Sequence, residues 1–466
     1  MEHFDNTICA PATAQGGAMA VIRVSGWHAI SYVDAIFKGR IPLVGAPGYS
    51  LHYGTISEPD GTLLDQVVVA LFRAPHSYTG ENVVEITCHG SAYIVSRILS
   101  LLLQKGARMA APGEFTQRAF LHGKMDLSQA EAVADLIASR TAAAHRIAIR
   151  QIKGGFSAEL DGMRAELLQI ASLVELELDF SEEEVEFADR EHLRGLVEKV
   201  LSHTETLIES FALGNAIKNG VPVAIVGNTN VGKSTLLNAL VGEDRAIVSD
   251  IAGTTRDTIE ETFNLDGVLF RFIDTAGLRE SDDTIERIGI ERAYEKMASA
   301  QLILALLDLT APEPEILASA EAIAGRTVTG QQLFFLLNKA DAVPVPVTSR
   351  TRQALSPLLQ TTGAHLYALS AKERIGLEDL RHALAASYRS LGEGSEGSLV
   401  SNIRHLEALR NAAESLRRVL GGIGTLPTDL LAQDLRESLH HLGTITGEIT
   451  TDEILGEIFK GFCIGK

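Results

Sequence analysis

The stretch GNTNVGKSTLLNAL, Gly227 to Leu240, constrains the fold of this chain more than any other. An apolar run, Val221 to Val226, leads into it, and a helical pattern follows. Gly227, Gly232, Lys233 and Ser234 meet the spacing G-x-x-x-x-G-K-[ST]. Glycines there let successive backbone N–H groups converge on an anion, and the helix adds the positive end of its dipole. Lys233 then reaches the β- and γ-phosphates of a nucleotide. The Ser234 hydroxyl takes a ligand position on Mg²⁺.

Strands and helices alternate around this loop, which implies a parallel α/β sheet. Strands are expected at 221–226, 269–273, 302–308, 333–337 and 365–369. The first 120 residues or so read differently. Strand-like runs (Met19 to Val24, Gln66 to Phe72, Asn82 to Cys88) mix with one helix near Ala92 to Lys105, an α+β texture. From about Leu121 to Ile217, apolar residues recur at three- and four-residue intervals, the period of helices. SEEEVEFADR, Ser181 to Arg190, reads as an acidic loop or a solvated helix start. GEGSEGS, Gly392 to Ser398, reads as a flexible linker, and the remainder is helical again. The economical organisation is a helical domain interrupted by an inserted α/β domain. Its expected segments are 1–120, 121–216, 217–391 and 392–466.

Composition excludes several classes. A chain of 466 residues is too long for one core. Its net charge of −19 argues against a broad nucleic-acid-coating surface, though not against a local basic patch. Cys9, Cys88 and Cys463 have no metal-type or redox-type spacing. The start MEHFDNTICAPATA lacks the basic and apolar parts of a signal peptide. LILALL, Leu302 to Leu307, is far below the ~20 residues of a membrane span. A reducing cytoplasm is the expected compartment.

Three further motifs choose the base. DTAG, Asp274 to Gly277, follows a strand; its aspartate can hold Mg²⁺ through water and its glycine N–H can meet the γ-phosphate. NKAD, Asn338 to Asp341, follows another. The Asp341 carboxylate can accept from both the ring N–H and the exocyclic amine of guanine. Adenine offers neither donor, so the site selects GTP. SAK, Ser370 to Lys372, can offer a backbone N–H to the guanine oxygen. GTTRD, Gly253 to Asp257, lies where a switch threonine is needed, and Thr255 is the candidate Mg²⁺ ligand. Leu278 follows DTAG, where many small GTPases carry a water-orienting glutamine. Leucine cannot do that, so another group must position the water. Glu286 is a nearby carboxylate, although a solvated helix face is its ordinary reading.

Two stretches lie outside the nucleotide motifs. PGEFTQRAFLHGKMDLSQAEA, Pro112 to Ala132, is unusually specific for a loop entering a helix and could build an anion pocket. Arg23 and Glu85, on separate strands, could line it. The chain ends FCIGK, Phe462 to Lys466, behind an amphipathic run of Ile454, Leu455, Ile458 and Phe459. It is not a prenylation box. A frayed tail is the ordinary reading; a docked one would carry Cys463 and a lysine into a site.

Taken together, VIRVSG near the start, PGEFTQRAFLHGKMDLSQAEA, DIAGTTRD, DTAGLRE and the terminal CIGK resemble the MnmE (TrmE) family of tRNA-modification GTPases, from end to end. Thr229 departs from the proline common there, which bears on loop stiffness and not on nucleotide binding. The resemblance implies an N-terminal α+β folate-binding domain that dimerises, a discontinuous all-α helical domain and an inserted Ras-like P-loop α/β GTPase domain. It implies GTP contacts from Gly227, Asn230, Val231, Gly232, Lys233, Ser234 and Thr235, from Ser249, Thr254 and Thr255, and from Asp274, Thr275, Ala276 and Gly277. Asn338, Lys339, Asp341, Ser370, Ala371 and Lys372 complete that set. Mg²⁺ falls to Ser234 and Thr255, K⁺ to Asn230, Ser249, Ile251 and Thr254, and catalysis through water to Glu286. Arg23, Glu85, Lys124 and Lys466 look like contacts for a tetrahydrofolate derivative (5-formyl or 5,10-methylene), and Cys463 matches a candidate catalytic cysteine.

The implied reaction modifies carbon 5 of the wobble uridine of certain tRNAs with a carboxymethylaminomethyl or aminomethyl group. The implied partner is the flavoprotein MnmG (GidA), in a heterotetramer, with FAD only through that partner. Two other readings stand beside it. A regulatory ribosome-assembly GTPase would explain 227–372 but not FCIGK or PGEFTQRAF. A folate-dependent transferase with a merely regulatory GTPase domain overlaps the first reading.

Overall fold

The computed structural model describes residues 6–14, 16–179, 190–241, 262–265, 267–273, 297–328, 330–393, 398–463 and 465. The chain divides into two compact units. One comprises Met1–Ala138, Ala148–Ser202 and Ala408–Lys466; the other comprises Ser139–Ile147 and His203–Glu407.

The first unit contains a sheet of seven strands, β1 (Ile8–Pro11), β2 (Met19–Ser25), β3 (Phe37–Gly39), β4 (Ser50–Ser57), β5 (Leu63–Phe72), β6 (Val83–His89) and β7 (Arg108–Met109). Their order is β3-β4-β5-β6-β2-β1-β7, antiparallel except where β7 joins β1. Residues alternate between faces as pleating requires. Val67, Val69 and Leu71 of β5 and Val84, Ile86 and Cys88 of β6 point into one core. The helix Ala92–Gln104 closes that core with Val95, Ile98, Leu101 and Leu102, spaced to share one helical face. Each such side chain contributes about 1.5–3 kcal/mol on burial. The same unit holds the helices Leu127–Ala138, Gly155–Asp179, Thr428–Thr446 and Asp452–Lys460. Gly155–Asp179 packs along Thr428–Thr446, and Arg436 donates to Glu175 across them at 2.8 Å.

The second unit is built on six strands, β8 (Val221–Val226), β9 (Thr262–Leu265), β10 (Val268–Phe272), β11 (Leu302–Asp308), β12 (Gln332–Asn338) and β13 (His365–Ala368). The order is β13-β12-β11-β8-β10-β9, parallel apart from β9. LILALLD and QLFFLLN are near-continuous apolar runs because parallel strands are covered on both faces. Five expected strands stand within a residue of their expected bounds. The unforeseen β9 pairs β10 through a hairpin whose register sets Val268 against Leu265. The Asp266-Gly267 dipeptide between them is a turn signal that could have revealed it.

One expectation needs correction. The sequence places the start of the linker at Gly392, but the helix Leu377–Glu393 runs through Gly392 and Glu393. Helix propensity within one continuing turn outweighs a single terminal glycine. The acidic segment 181–189 lies outside the described residues, and Arg190 opens the helix Arg190–Asn219.

Candidate functional site

The carboxyl ends of β8, β12 and β13 bring three motifs to one edge of the second unit, where open α/β sheets bind ligands. The phosphate loop follows β8, and Lys233 opens the helix Lys233–Val241. The Lys233 ammonium donates to the carbonyls of Gly227 and Asn228, both at 2.8 Å. Burial holds it below the usual lysine range. Ser234 and Thr235 are exposed on the first turn of that helix. Asn230 holds a left-handed φ of 60°, uncommon for a residue with a side chain.

Asn338 ties the three motifs together. Its Nδ2 donates to the Val231 carbonyl at 2.6 Å, and its Oδ1 accepts the Ala371 N–H at 3.0 Å. Gly232 owes its identity partly to this contact. A Cβ there would lie 2.5 Å from Asn338 Nδ2, at a φ of 98°. The SAK turn is closed on itself, since Ser370 N–H donates to the Ile375 carbonyl at 2.9 Å. Lys339 adopts a left-handed φ of 63° and donates to Asp308 at 2.6 Å. Asp341 follows, exposed, in the turn Ala340–Ala342. Lys372 is exposed. Ser249, Ile251, Thr254, Thr255, Asp274, Thr275, Ala276, Gly277 and Glu286 lie outside the described residues.

In the first unit, Arg23 and Glu85 face each other in register across β2 and β6. Arg23 Nε donates to Glu85 Oε1 at 2.8 Å. The guanidinium also lies 5.4 Å from the Tyr78 ring centre and 5.6 Å from that of Phe115. Its Nη1 donates to the Gly465 carbonyl at 3.2 Å, 442 residues away in sequence. The tail gets there by packing. Thr451 caps the helix Asp452–Lys460 by accepting from Ile454 N–H, and Leu455 and Phe459 bury against Leu127 and Ala130. Gly113 N–H then donates to the Cys463 carbonyl at 3.3 Å, leaving the thiol exposed. Lys124 reaches the Pro75 carbonyl at 3.1 Å, on the loop that carries Tyr78. Lys466 lies outside the described residues.

The specific look of PGEFTQRAFLHG has a structural cause. Arg118 is fully buried and binds Glu81 at 2.9 Å and Glu114 at 3.0 Å, while Arg108 clasps Glu114 from the other side. His122 bonds the Thr79 carbonyl at 2.8 Å. Burial alone would raise the Glu114 pKa, but Arg108, the Ala111 N–H and Arg118 together hold it below the usual range. A carboxylate with a lowered folded pKa stabilises the fold above its unfolded value of about 4.3, and that stability is lost as pH falls through the folded value. Arg118→Met is expected to destabilise this unit by about 3–5 kcal/mol, since two carboxylates lose their buried partner. Urea unfolding of both proteins at pH 7 checks it, and a change under 1 kcal/mol would contradict it.

Two family models match the chain: the GTP-binding protein TrmE N-terminus over residues 7–124 and the MnmE helical domain over 127–463. The tRNA modification GTPase MnmE of Parabacteroides distasonis is 50% identical over 99% of this chain and 100% of its own length. The chain belongs to the MnmE family of tRNA modification GTPases. Its Bacteroides thetaiotaomicron relative, also named tRNA modification GTPase MnmE, is likewise 50% identical, over 99% of each chain. A solved structure of Aquifex aeolicus Era is 26% identical over 42% of this chain and 66% of that one, at a TM-score of 0.27.

Within this MnmE family member, sequence reasoning missed Asp308, Tyr78 and Phe115. Asp308 had a signal, being the one charged residue ending an otherwise apolar strand. Phe115 lay within the singled-out PGEFTQRAF stretch without being named, and Tyr78 had no signal, because its meeting with Arg23 depends on the tertiary fold.

Proposed function

We propose that this chain hydrolyses GTP within a complex that modifies tRNA at carbon 5 of the wobble uridine, drawing a one-carbon unit from a tetrahydrofolate derivative. The observation that carries the folate part is the docked tail. Arg23, Glu85, Tyr78 and the backbone of Gly465 form one polar and aromatic cluster although the chain ends are far apart in sequence. A guanidinium between a carboxylate and two rings suits a flat heterocycle with polar edges. Lys124 and Lys466 would add cations for the ligand's carboxylates.

Asn338, Val231 and Ala371 support the nucleotide part, since they lock the phosphate loop to the base-reading turns. Ser234 and Thr255 would hold Mg²⁺, which neutralises phosphate charge when bound. Asn230, in its left-handed loop position, would hold K⁺ with Ser249, Ile251 and Thr254. K⁺ is therefore expected to support turnover and Na⁺ to do so poorly at matched ionic strength; equal rates would refute that site.

The proposed assembly is a homodimer that joins the flavoprotein MnmG, with FAD supplied by that partner. An uncovered apolar sheet face, with Leu51 74%, Tyr53 65% and Val68 38% exposed, supports a covering partner at the N-terminal domain. Among the described residues no helix is long and apolar enough to cross a membrane. A cytoplasmic site of action is part of the proposal. Nucleoside profiling of total tRNA from a deletion strain tests the whole reading. Loss of the modified wobble uridine is expected, and an unchanged profile would point instead to a regulatory GTPase.

A further inference from the structure

We propose that Asp308 sets the base selectivity of the nucleotide site by positioning Asp341 through Lys339. The inference rests on Asp341 being the carboxylate that reads guanine. Asp308 closes β11 directly opposite Asn338 of β12. Its Oδ2 accepts from Lys339 Nζ at 2.6 Å. Its Oδ1 accepts from the Thr310 N–H at 2.9 Å and the Thr310 hydroxyl at 2.6 Å. Both oxygens are thus fixed, and the carboxylate cannot rotate to follow a moving lysine. The strand ends are also tied through the Leu309 N–H to the Asn338 carbonyl at 3.1 Å. Burial would raise the Asp308 pKa, but the bonds from Lys339 and Thr310 outweigh it and hold the group below the usual range.

What this anchor holds is an unfavourable backbone turn. Lys339 sits at φ 63° and ψ 34°, a left-handed conformation that L-residues with side chains adopt only under constraint. The turn sends neighbouring side chains in different directions. Asn338 goes inward to Val231 and Ala371, while Asp341 emerges exposed three residues later. The Ala340 N–H donates to the Leu369 carbonyl at 3.1 Å and holds the far side of the turn. Releasing the lysine would relax the left-handed turn and swing the Asp341 carboxylate. Two parallel hydrogen bonds to a base edge depend on direction more than simple proximity does. A swing that breaks the contact to the exocyclic amine costs a guanine nucleotide affinity that a hypoxanthine nucleotide never had. Asp308 acts through Lys339 rather than on the nucleotide, so it is a positioning residue.

The test compares GDP with IDP, whose base lacks only the exocyclic amine. Affinities are measured by competition on the full-length chain carrying Asp308→Ala, Asp308→Asn, Lys339→Met or Asp341→Asn. Asp308→Ala is expected to weaken GDP about tenfold, the worth of one charge-assisted bond, and to leave IDP nearly unchanged. The GDP/IDP ratio then falls toward one. Asp308→Asn keeps an acceptor for Lys339 and is expected to retain part of the ratio. Lys339→Met should lower the same GDP/IDP ratio, and combining it with Asp308→Ala should lower that ratio little further, as for residues coupled through one interaction. In steady state the loss should appear in KM for GTP rather than kcat. If Asp308→Ala and Asp308→Asn weaken GDP and IDP equally, Asp308 is only a structural residue and the inference fails. If Asp341→Asn leaves the GDP/IDP ratio unchanged, the reading of Asp341 itself fails and takes the inference with it.

Discussion

Asp341→Asn is expected to weaken GTP about a hundredfold and to admit xanthosine triphosphate in its place. A carboxylate accepts two hydrogen bonds, from the ring N–H and the exocyclic amine of guanine. Each charge-assisted bond is worth about 1.5–3 kcal/mol, and an amide keeps only one acceptor atom. The NH₂ of the new asparagine would face the guanine amine, donor against donor. Xanthine carries an oxygen at that position, so the same NH₂ finds an acceptor. The geometry favours a clean result. Asp341 is exposed, so its side chain is free to meet a base, whereas Asn338 is buried and braces the loops. Replacing Asp341 should therefore change selectivity without disturbing the turn. Equilibrium binding of GTP and xanthosine triphosphate decides it. Unchanged GTP affinity would overturn the guanine reading.

The contrast between Asp341 and Asn338 also marks how far the sequence could be read. A motif such as NKAD states which residues matter, and the apolar run before it states that they end a strand. It does not state the direction each side chain takes. That depends on the left-handed turn at Lys339 and on a partner, Asp308, supplied by the neighbouring strand. Local spacing carries no record of such cross-strand pairs. Gly232 makes the same point. Its place in the phosphate loop suggests anion binding, yet the atom nearest its missing Cβ belongs to Asn338, 106 positions on by number. The strands of the second unit were legible because parallel strands are apolar throughout. The edge strand β9 was less so, because it is short and only alternate residues of it are buried. In PGEFTQRAF, charged residues suggested a pocket, but Glu114 and Arg118 spend their charges on each other and on Glu81 and Arg108. Burial decides between those roles, and burial follows from the whole fold.

Gly465→Ala is expected to weaken binding of 5-formyl-tetrahydrofolate by about ten- to a hundredfold, and to abolish tRNA modification, while leaving GTP hydrolysis nearly intact. Gly465 sits at φ 94°, and a Cβ there would fall 2.1 Å from the Pro11 carbonyl oxygen. That neighbour is backbone of a paired strand, so it cannot step aside as a flexible side chain could. The tail must lift instead. Arg23 then loses the Gly465 carbonyl while keeping Glu85. A bond between a ligand carboxylate and a positioned cation is worth about 1.5–3 kcal/mol, which gives the stated range. The helix Asp452–Lys460 should stay docked, because Leu455 and Phe459 are held by Leu127 and Ala130 and not by the tail. The substitution therefore separates the position of the tail from its chemistry, since Cys463 and Lys466 are still present. Deleting Cys463 to Lys466 should give the same folate defect. Cys463→Ala alone should leave folate binding intact, because the contact here is the carbonyl of Cys463 and not its thiol. Calorimetric titration with the folate, run beside a GTPase assay, measures both halves. Normal folate binding by Gly465→Ala would mean that the clasp on Arg23 is incidental.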